Sequence, residues 1–179
     1  MMFARGRAMG EHQNPGQAVQ AAAARDHGWK LTDVRVGEVK ELKRGGCAFF
    51  RASDPTRVGQ APADYAVLPG GQLAKGATEV LRQCGQGAPG EWWAQVIARF
   101  GGVPGILVDK HAPSAIRKIR AAGEEWKAPE LVASGGTTAL TFYTVEYELG
   151  RVYRVQASLP ARGALSVKQE QIAPSEMSH

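Results

Sequence analysis

The sequence predicts an α+β fold in which an antiparallel β-meander packs against an amphipathic helix. Residues 92–100 carry apolar side chains three and four positions apart, which is the spacing of one helix face. Residues 139–172 form three runs of alternating side chains separated by short turns, which is typical of a meander. Because a sheet with one apolar face must bury that face, we expect the helix to cover it.

Helices are predicted at four places along the chain. The first begins at Asn14, a preferred N-cap residue, has Pro15 at its first position and ends at Gly28. The others span 78–84, 89–101 and 114–123, and each ends at or just before a glycine. The third, which contains Trp92 and Trp93, has the broadest apolar face and is therefore the helix expected on the meander.

Strands are predicted where β-branched and aromatic residues alternate with polar ones. They are 31–39, 47–52, 64–68, 105–109, 139–148, 151–159 and 164–172. Alternation also predicts the buried side of the meander, which consists of Thr141, Tyr143, Val145 and Tyr147 in its first strand and of Tyr153, Val155, Ala157 and Leu159 in its second. We expect Trp93, Ile97 and Phe100 to pack against this side, specifically against Tyr143, Val145, Tyr153 and Val155.

The chain is expected to form a single α+β domain over residues 14–172, with flexible tails at 1–13 and 173–179. Two segments, 18–36 and 115–133, align without gaps and place the pair Trp29-Lys30 over Trp126-Lys127. We therefore keep two hypotheses. Either residues 14–75 and 113–172 are duplicated halves joined by the helices of 76–101, or both halves use a helix followed by a meander independently.

The two cysteines give no sign of a disulfide framework or a metal site. Cys47 and Cys84 lie far apart, and neither belongs to a CxxC pair. Two buried reduced thiols are the favoured interpretation, and a disulfide and a reactive thiol are the alternatives. No apolar run approaches the roughly 20 residues that cross a bilayer, and the N-terminus lacks the apolar core of a secretory signal. We therefore expect a cytoplasmic protein without a membrane contact.

The positive charge of the chain is modest. The formal net charge is +5, and the densest basic group, Arg117, Lys118 and Arg120, is followed closely by Glu124 and Glu125. Nucleic-acid binding needs a face of unopposed basic side chains that neutralises several phosphates together. The sequence thus favours a solvated helix face, with weak nucleic-acid binding as an alternative function.

One short segment contains residue types that are used in catalysis. Asp109, Lys110 and His111 follow the apolar run 105–108 and precede a predicted helix, and loop side chains at such positions often carry function. No second histidine lies nearby, and no nucleophile or phosphate-loop motif is present. A small enzyme with Asp109 and His111 as catalytic groups is therefore an alternative, and we expect no cofactor and no metal ion.

The favoured hypothesis is a non-enzymatic protein that binds another macromolecule, a protein rather than a nucleic acid. The C-terminal meander should present a polar face, on which Glu146 and Glu148 form a cross-strand charge pair with Arg154. The expected binding residues are Glu146, Glu148, Arg151, Arg154 and Gln156 on this face and Lys168 and Glu170 on the last strand. An edge strand of this kind can accept a partner strand or be guarded by its charges. Substrate, pathway and oligomeric state do not follow from the sequence.

Overall fold

The computed structural model describes residues 14–173 and confirms the α+β fold. Over this range, the helices are α1 (Pro15–His27), α2 (Ala77–Cys84), α3 (Gly90–Phe100) and α4 (Pro113–Ala121), and a 3-10 turn covers Lys40–Leu42. The strands are β1 (Arg35–Glu38), β2 (Ala48–Ser53), β3 (Ala63–Val67), β4 (Ile106–Leu107), β5 (Val132–Ser134), β6 (Thr137–Glu146), β7 (Arg151–Pro160) and β8 (Ser166–Ala173). Every predicted helix and strand is present, and β5 and the 3-10 turn are additional.

The described strands form two antiparallel sheets. The N-terminal sheet has the order β1-β2-β3, and the C-terminal sheet has the order β4-β6-β7-β8, with the short β5 also paired to β6. Strands β6, β7 and β8 are the predicted meander, and β8 lies at the edge of its sheet. Helices α2 and α3 lie between the two sheets, so each sheet has an inner face toward these helices and an outer face away from them.

The central core is built around α3. Its Trp92, Trp93, Val96 and Ile97 are buried among inner-face residues of both sheets, which are Phe49 and Ala66 on one side and Leu140, Phe142, Val155, Ala157 and Leu159 on the other. The two indole groups are also hydrogen-bonded, because Trp92 Nε1 donates to the Leu42 carbonyl at 2.9 Å and Trp93 Nε1 donates to the Gly85 carbonyl at 3.1 Å. These contacts fix α3 between the sheets.

The predicted face of β7 is correct, but the predicted face of β6 is wrong. Leu140 and Phe142 of β6 point to α3 together with Val155 of β7, because Phe142 lies directly opposite Val155 in the register. Tyr143 and Val145 lie on the outer face instead, where they pack with Val152 against Ala115 and Ile119 of α4. The C-terminal sheet is therefore covered on both faces, and the outer face is polar only beyond α4.

Cys47 and Cys84 form a disulfide, so the prediction of two reduced thiols is wrong. Cys47 immediately precedes β2 and Cys84 ends α2, and packing of α2 against the inner face of the N-terminal sheet brings their Cα atoms to 6.1 Å. This distance lies within the usual range for a disulfide. Both residues are buried, so the bond lies inside the central core.

Each half of the chain does contain a helix that packs on the outer face of the sheet that follows it. Val19 and Ala23 of α1 pack on Ala52 and Val67, as Ala115 and Ile119 of α4 pack on the C-terminal sheet. Trp29 and Trp126, which the sequence alignment superimposes, each pack at the side of their own helix. This correspondence agrees with both origins, so duplication stays a hypothesis.

Two further expectations concern the ends of the chain and the membrane. The predicted tails lie outside the described residues, apart from position 173, which is the last residue of β8. Within residues 14–173, no helix has both the length and the apolar character that a bilayer-spanning segment needs.

Candidate functional site

An open cleft of about 690 Å³ lies on the outer face of the C-terminal sheet. Its floor consists of two rows of side chains that run across β6, β7 and β8, which are Thr141, Gln156 and Lys168 in one row and Ala139, Ser158 and Ser166 in the other. The side chains of the first row are polar and exposed, whereas those of the second row are small. The floor therefore offers hydrogen-bonding groups without bulky side chains above them.

The wall of the cleft is the chain segment after α4, including Lys127, Ala128, Glu130 and Val132. This segment contacts the residues after β4 at its start and the beginning of α3 further along. Trp126 Nε1 donates to the Val108 carbonyl at 3.1 Å, and a Cβ atom at Gly90 would lie only 2.1 Å from the carbonyl oxygen of Pro129. The segment thus lies directly against Gly90, the first residue of α3.

A hydrogen-bonded network borders the cleft on the side of α4. Tyr143 Oη donates to Glu124 Oε2 at 2.7 Å, and Arg154 donates from Nη1 to Glu124 Oε1 at 2.8 Å and from Nη2 to Glu170. Arg154, one of the predicted binding residues, is therefore engaged by two carboxylates of its own chain. The predicted pair with Glu146 is wrong, because the register places Arg154 opposite Tyr143 on the outer face.

The network changes the acid–base behaviour of Tyr143. Burial first, and then the hydrogen bond to the Glu124 carboxylate, raises the pKa of Tyr143 from 10.0 to about 12. The folded state thus favours the neutral phenol. Its contribution to the free energy of unfolding is complete below pH 10.0 and is lost as the pH rises toward about 12.

We expect Tyr143→Phe to remove the part of the stability loss at alkaline pH that comes from ionisation of this phenol. The stability advantage of the wild type over the variant should shrink between pH 10.0 and about 12, because only the wild type has this phenol to ionise. Urea unfolding of both proteins at several pH values in this range measures the difference. A stability difference that stays constant across the range would contradict the assignment.

Glu146 and Arg151, two other predicted binding residues, lie away from the cleft. They are opposite each other in the β6–β7 register and belong to the inner side of the sheet, at its end near the β6–β7 turn. Glu146 Oε2 accepts a hydrogen bond from Tyr153 Oη at 2.7 Å, and this bond is the main cause of a raised pKa of Tyr153. The predicted polar face is therefore divided between two sides of the sheet.

The three basic residues of α4 also divide into two groups. Arg117 and Arg120 are exposed, whereas Lys118 is half-buried and donates from Nζ to the Gly150 carbonyl at 3.0 Å. Lys118 thus links α4 to the turn between β6 and β7. Only Arg117 and Arg120 are left as a basic surface on this helix, which is too few for strong phosphate binding.

We expect only weak duplex DNA binding that disappears near physiological ionic strength, where exposed charges are screened beyond about 8 Å. The variant Arg117→Ala/Arg120→Ala should then equal the wild type at that salt, since Lys118 is retained for its structural contact. Fluorescence anisotropy with a labelled duplex measures this. A submicromolar Kd at that salt, lost in the variant, would instead favour the nucleic-acid hypothesis.

Asp109 and His111 both line a cavity of about 390 Å³, together with Glu91, Lys110 and Trp126. Asp109 Oδ1 accepts a hydrogen bond from the backbone nitrogen of His111 at 2.8 Å, which is the geometry of an Asx turn. Within residues 14–173, no hydrogen bond joins the His111 ring to a carboxylate. The two predicted catalytic residues thus share a cavity, but they are not arranged as an acid–base pair.

An ion-pair cluster that the sequence pattern did not predict lies at the inner face of the N-terminal sheet. Arg51 donates to both oxygens of Asp64, at 2.9 and 3.1 Å, and Arg99 of α3 lies 3.3 Å from the same carboxylate. These residues line a cavity of about 400 Å³ that also reaches Asp109. Alternation places Arg51 and Asp64 on inward positions of β2 and β3, but only the register makes them neighbours.

Comparisons with known proteins do not identify a family for this site. No protein-family model, curated protein or solved structure matches the chain. Among the described residues, no three histidine, cysteine, aspartate or glutamate side chains are grouped so that they could hold a metal ion. We therefore infer function from the cleft on the C-terminal sheet and from the two cavities that Asp109 lines.

Proposed function

We propose that this protein binds another protein, without catalysing a reaction, and that an extended segment of the partner lies in the cleft on the C-terminal sheet. The single observation that carries the proposal is the cleft itself, with its floor of exposed polar and small side chains. Its volume of about 690 Å³ falls within the range of ligand sites. The residues predicted for binding that contribute to it are Gln156 and Lys168.

The lining favours a peptide over an apolar small molecule. Small-molecule sites are lined mainly by hydrophobic and aromatic side chains, whereas none of the described residues that line this cleft is aromatic. Thr141, Gln156 and Ser158 supply hydroxyl and amide groups, which both donate and accept hydrogen bonds as a peptide backbone does. A polar chain with small side chains therefore matches the floor.

The charges of the cleft favour a peptide over a nucleic acid. Within residues 14–173, two lysines, Lys127 and Lys168, line it together with Glu130. A phosphate backbone would meet this carboxylate, and two ammonium groups would release few counterions. A peptide needs no such excess of positive charge.

Site-specific photocrosslinking tests the proposal in cells that naturally make the protein. p-Benzoylphenylalanine replaces Gln156 in the cleft floor or, as the matched control, Val58, which is fully exposed on the loop between β2 and β3. We expect a discrete protein adduct from position 156 and none from position 58. Filling the cleft with Ser158→Trp should reduce the adduct at least tenfold. The absence of an adduct at 156, or an adduct that Ser158→Trp leaves unchanged, would overturn the proposal.

A second candidate function is a small enzyme, and the shared cavity of Asp109 and His111 favours it. The test is turnover of a panel of chromogenic esters, phosphates and glycosides by the wild type and by His111→Ala. Turnover that the substitution abolishes would support the enzyme. Our proposal expects no turnover above buffer for either protein.

The disulfide bears on where the protein works. The sequence led us to expect the cytoplasm, but disulfides are rare there because glutathione and thioredoxin keep thiols reduced. The buried bond between Cys47 and Cys84 therefore supports an oxidising compartment. Trapping thiols with acid and a maleimide in intact cells tests this. A reduced pair would favour the cytoplasm.

A further inference from the structure

Among the described strands, β8 pairs with β7 alone, on one side of its backbone. It spans Ser166–Ala173 at the end of the C-terminal sheet, and no other strand of the described chain pairs with its outer edge. Edge strands of this length usually carry a device that prevents association or a partner that uses the edge. Between Ser166 and Ile172, the strand contains no proline.

We propose that β8 pairs with β8 of a second copy of this chain, in an antiparallel dimer with its two-fold axis at Gln169. The charges of β8 are complementary to those of a second β8 strand in this register. Lys168 and Glu170 flank Gln169 and both lie on the outer face, because Lys168 is opposite Gln156 and Glu170 is opposite Arg154. With the axis at Gln169, Lys168 of each copy lies directly opposite Glu170 of the other.

Neighbouring registers are unfavourable. Side chains that are directly opposite in a sheet point to the same face. A shift of the dimer register must therefore keep the outer-face residues of one β8 strand opposite the outer-face residues of the other. An axis at position 168 places the two Lys168 side chains opposite each other, and an axis at position 170 does the same with Glu170. Like charges directly opposite destabilise a pair, whereas opposite charges stabilise it. The charge pattern therefore selects both the partner, a second copy, and the register.

The side chains on this edge are accessible for such contacts. Lys168 and Glu170 are exposed, and Glu170 retains a second carboxylate oxygen in addition to the one that accepts from Arg154. The dimer is isologous, so each copy offers the same surface to the other. It joins the two C-terminal sheets into one, and the floors of the two clefts become continuous across the axis.

Charge reversal gives a test with an internal rescue. The purified wild type should sediment as a dimer, whereas Lys168→Glu alone and Glu170→Lys alone should each raise the dimer dissociation constant at least tenfold, because each creates two like-charge contacts. An equimolar mixture of the two variants should recover a dimer, since two acidic positions of one chain then face two basic positions of the other. Lys110→Glu, an equal charge change at an exposed loop position, should leave the wild-type dimer intact.

Two results would overturn the proposal. One is a wild type that remains monomeric in sedimentation equilibrium at about 100 μM, a concentration at which a specific interface of micromolar affinity is filled. The other is a mixture of the two variants that is no more dimeric than either variant alone. The measurement uses the isolated protein, so it does not depend on the proposed partner of the cleft. Circular dichroism of each variant confirms that a lost dimer is not a lost fold.

Discussion

Replacing Phe142 with alanine should lower the free energy of unfolding by about 3–5 kcal/mol, which is typical for a large aromatic side chain in a packed core. Phe142 is 1% exposed and lies on the inner face of β6, between α3 and the C-terminal sheet. Its removal leaves a cavity at the centre of the molecule, where neighbouring side chains from three elements cannot all move inward. Urea unfolding monitored by tryptophan fluorescence measures the loss.

Phe100→Ala is the matched control for this variant. Phe100 has the same side chain and packs at the margin of the same core, but it is only partly buried and contacts Phe49 with ring centroids 6.0 Å apart. Truncation of Phe100 should lower the free energy of unfolding clearly less than truncation of Phe142. The assignment of the inner face of β6 is wrong if Phe142→Ala is as stable as the wild type. It is also wrong if Phe100→Ala lowers the free energy of unfolding more than Phe142→Ala does.

The ends of the helices could be predicted because local chemistry determines them. Asn14 accepts a hydrogen bond from the backbone nitrogen of Gly16 at 3.0 Å, and Gly28 adopts the left-handed conformation after α1. Both roles depend only on the residue type and its immediate neighbours. Strand β5 was missed for the converse reason, since three residues are too few to show a pattern and only pairing with β6 defines the strand.

The buried face of β6 could not be predicted because both of its faces are covered. Alternation identifies a buried side only when the other side meets water. In β6, Leu140 and Phe142 point to α3, whereas Tyr143 and Val145 point to α4, so apolar side chains occupy both sets of positions. The sequence shows no preference between the two sets of positions. Which set faces α4 is determined by tertiary packing.

The candidate site could be predicted only in part, for the same physical reason. Gln156 and Lys168 were predicted because they lie on exposed positions of the meander. The wall of the cleft was missed, because it depends on how residues 127–132 return from α4 to the sheet. Arg154 was predicted to pair with Glu146 and Glu148 on a binding face, but Glu124 approaches it from outside the meander and engages it. Contacts between distant segments have no signature in a single sequence.

The disulfide was missed because spacing alone says nothing about proximity. Cys47 and Cys84 are separated by 37 positions, and two elements with no shared motif, β2 and α2, bring them together. The same long separation makes the bond effective. A crosslink restricts the unfolded chain more when it closes a longer loop, and the chain-entropy relation gives about 4 kcal/mol for a loop of this length.

We therefore expect Cys47→Ala/Cys84→Ala to lower the free energy of unfolding by about 4 kcal/mol, with only a minor part from the lost sulfur atoms. Reduction separates the two contributions. A phosphine reductant should destabilise the wild type by nearly the same amount once the bond opens on unfolding, and it should leave the double variant unchanged. Thiol titration in unfolded, unreduced protein checks the premise, because the disulfide predicts no reactive thiol and a reduced pair predicts both. Two results would contradict the disulfide: both thiols titrate without reductant, or the reductant leaves the stability of the wild type unchanged. In either case, packing alone holds α2 to the N-terminal sheet. The double variant should then lose only the stability that its buried sulfur contacts provide.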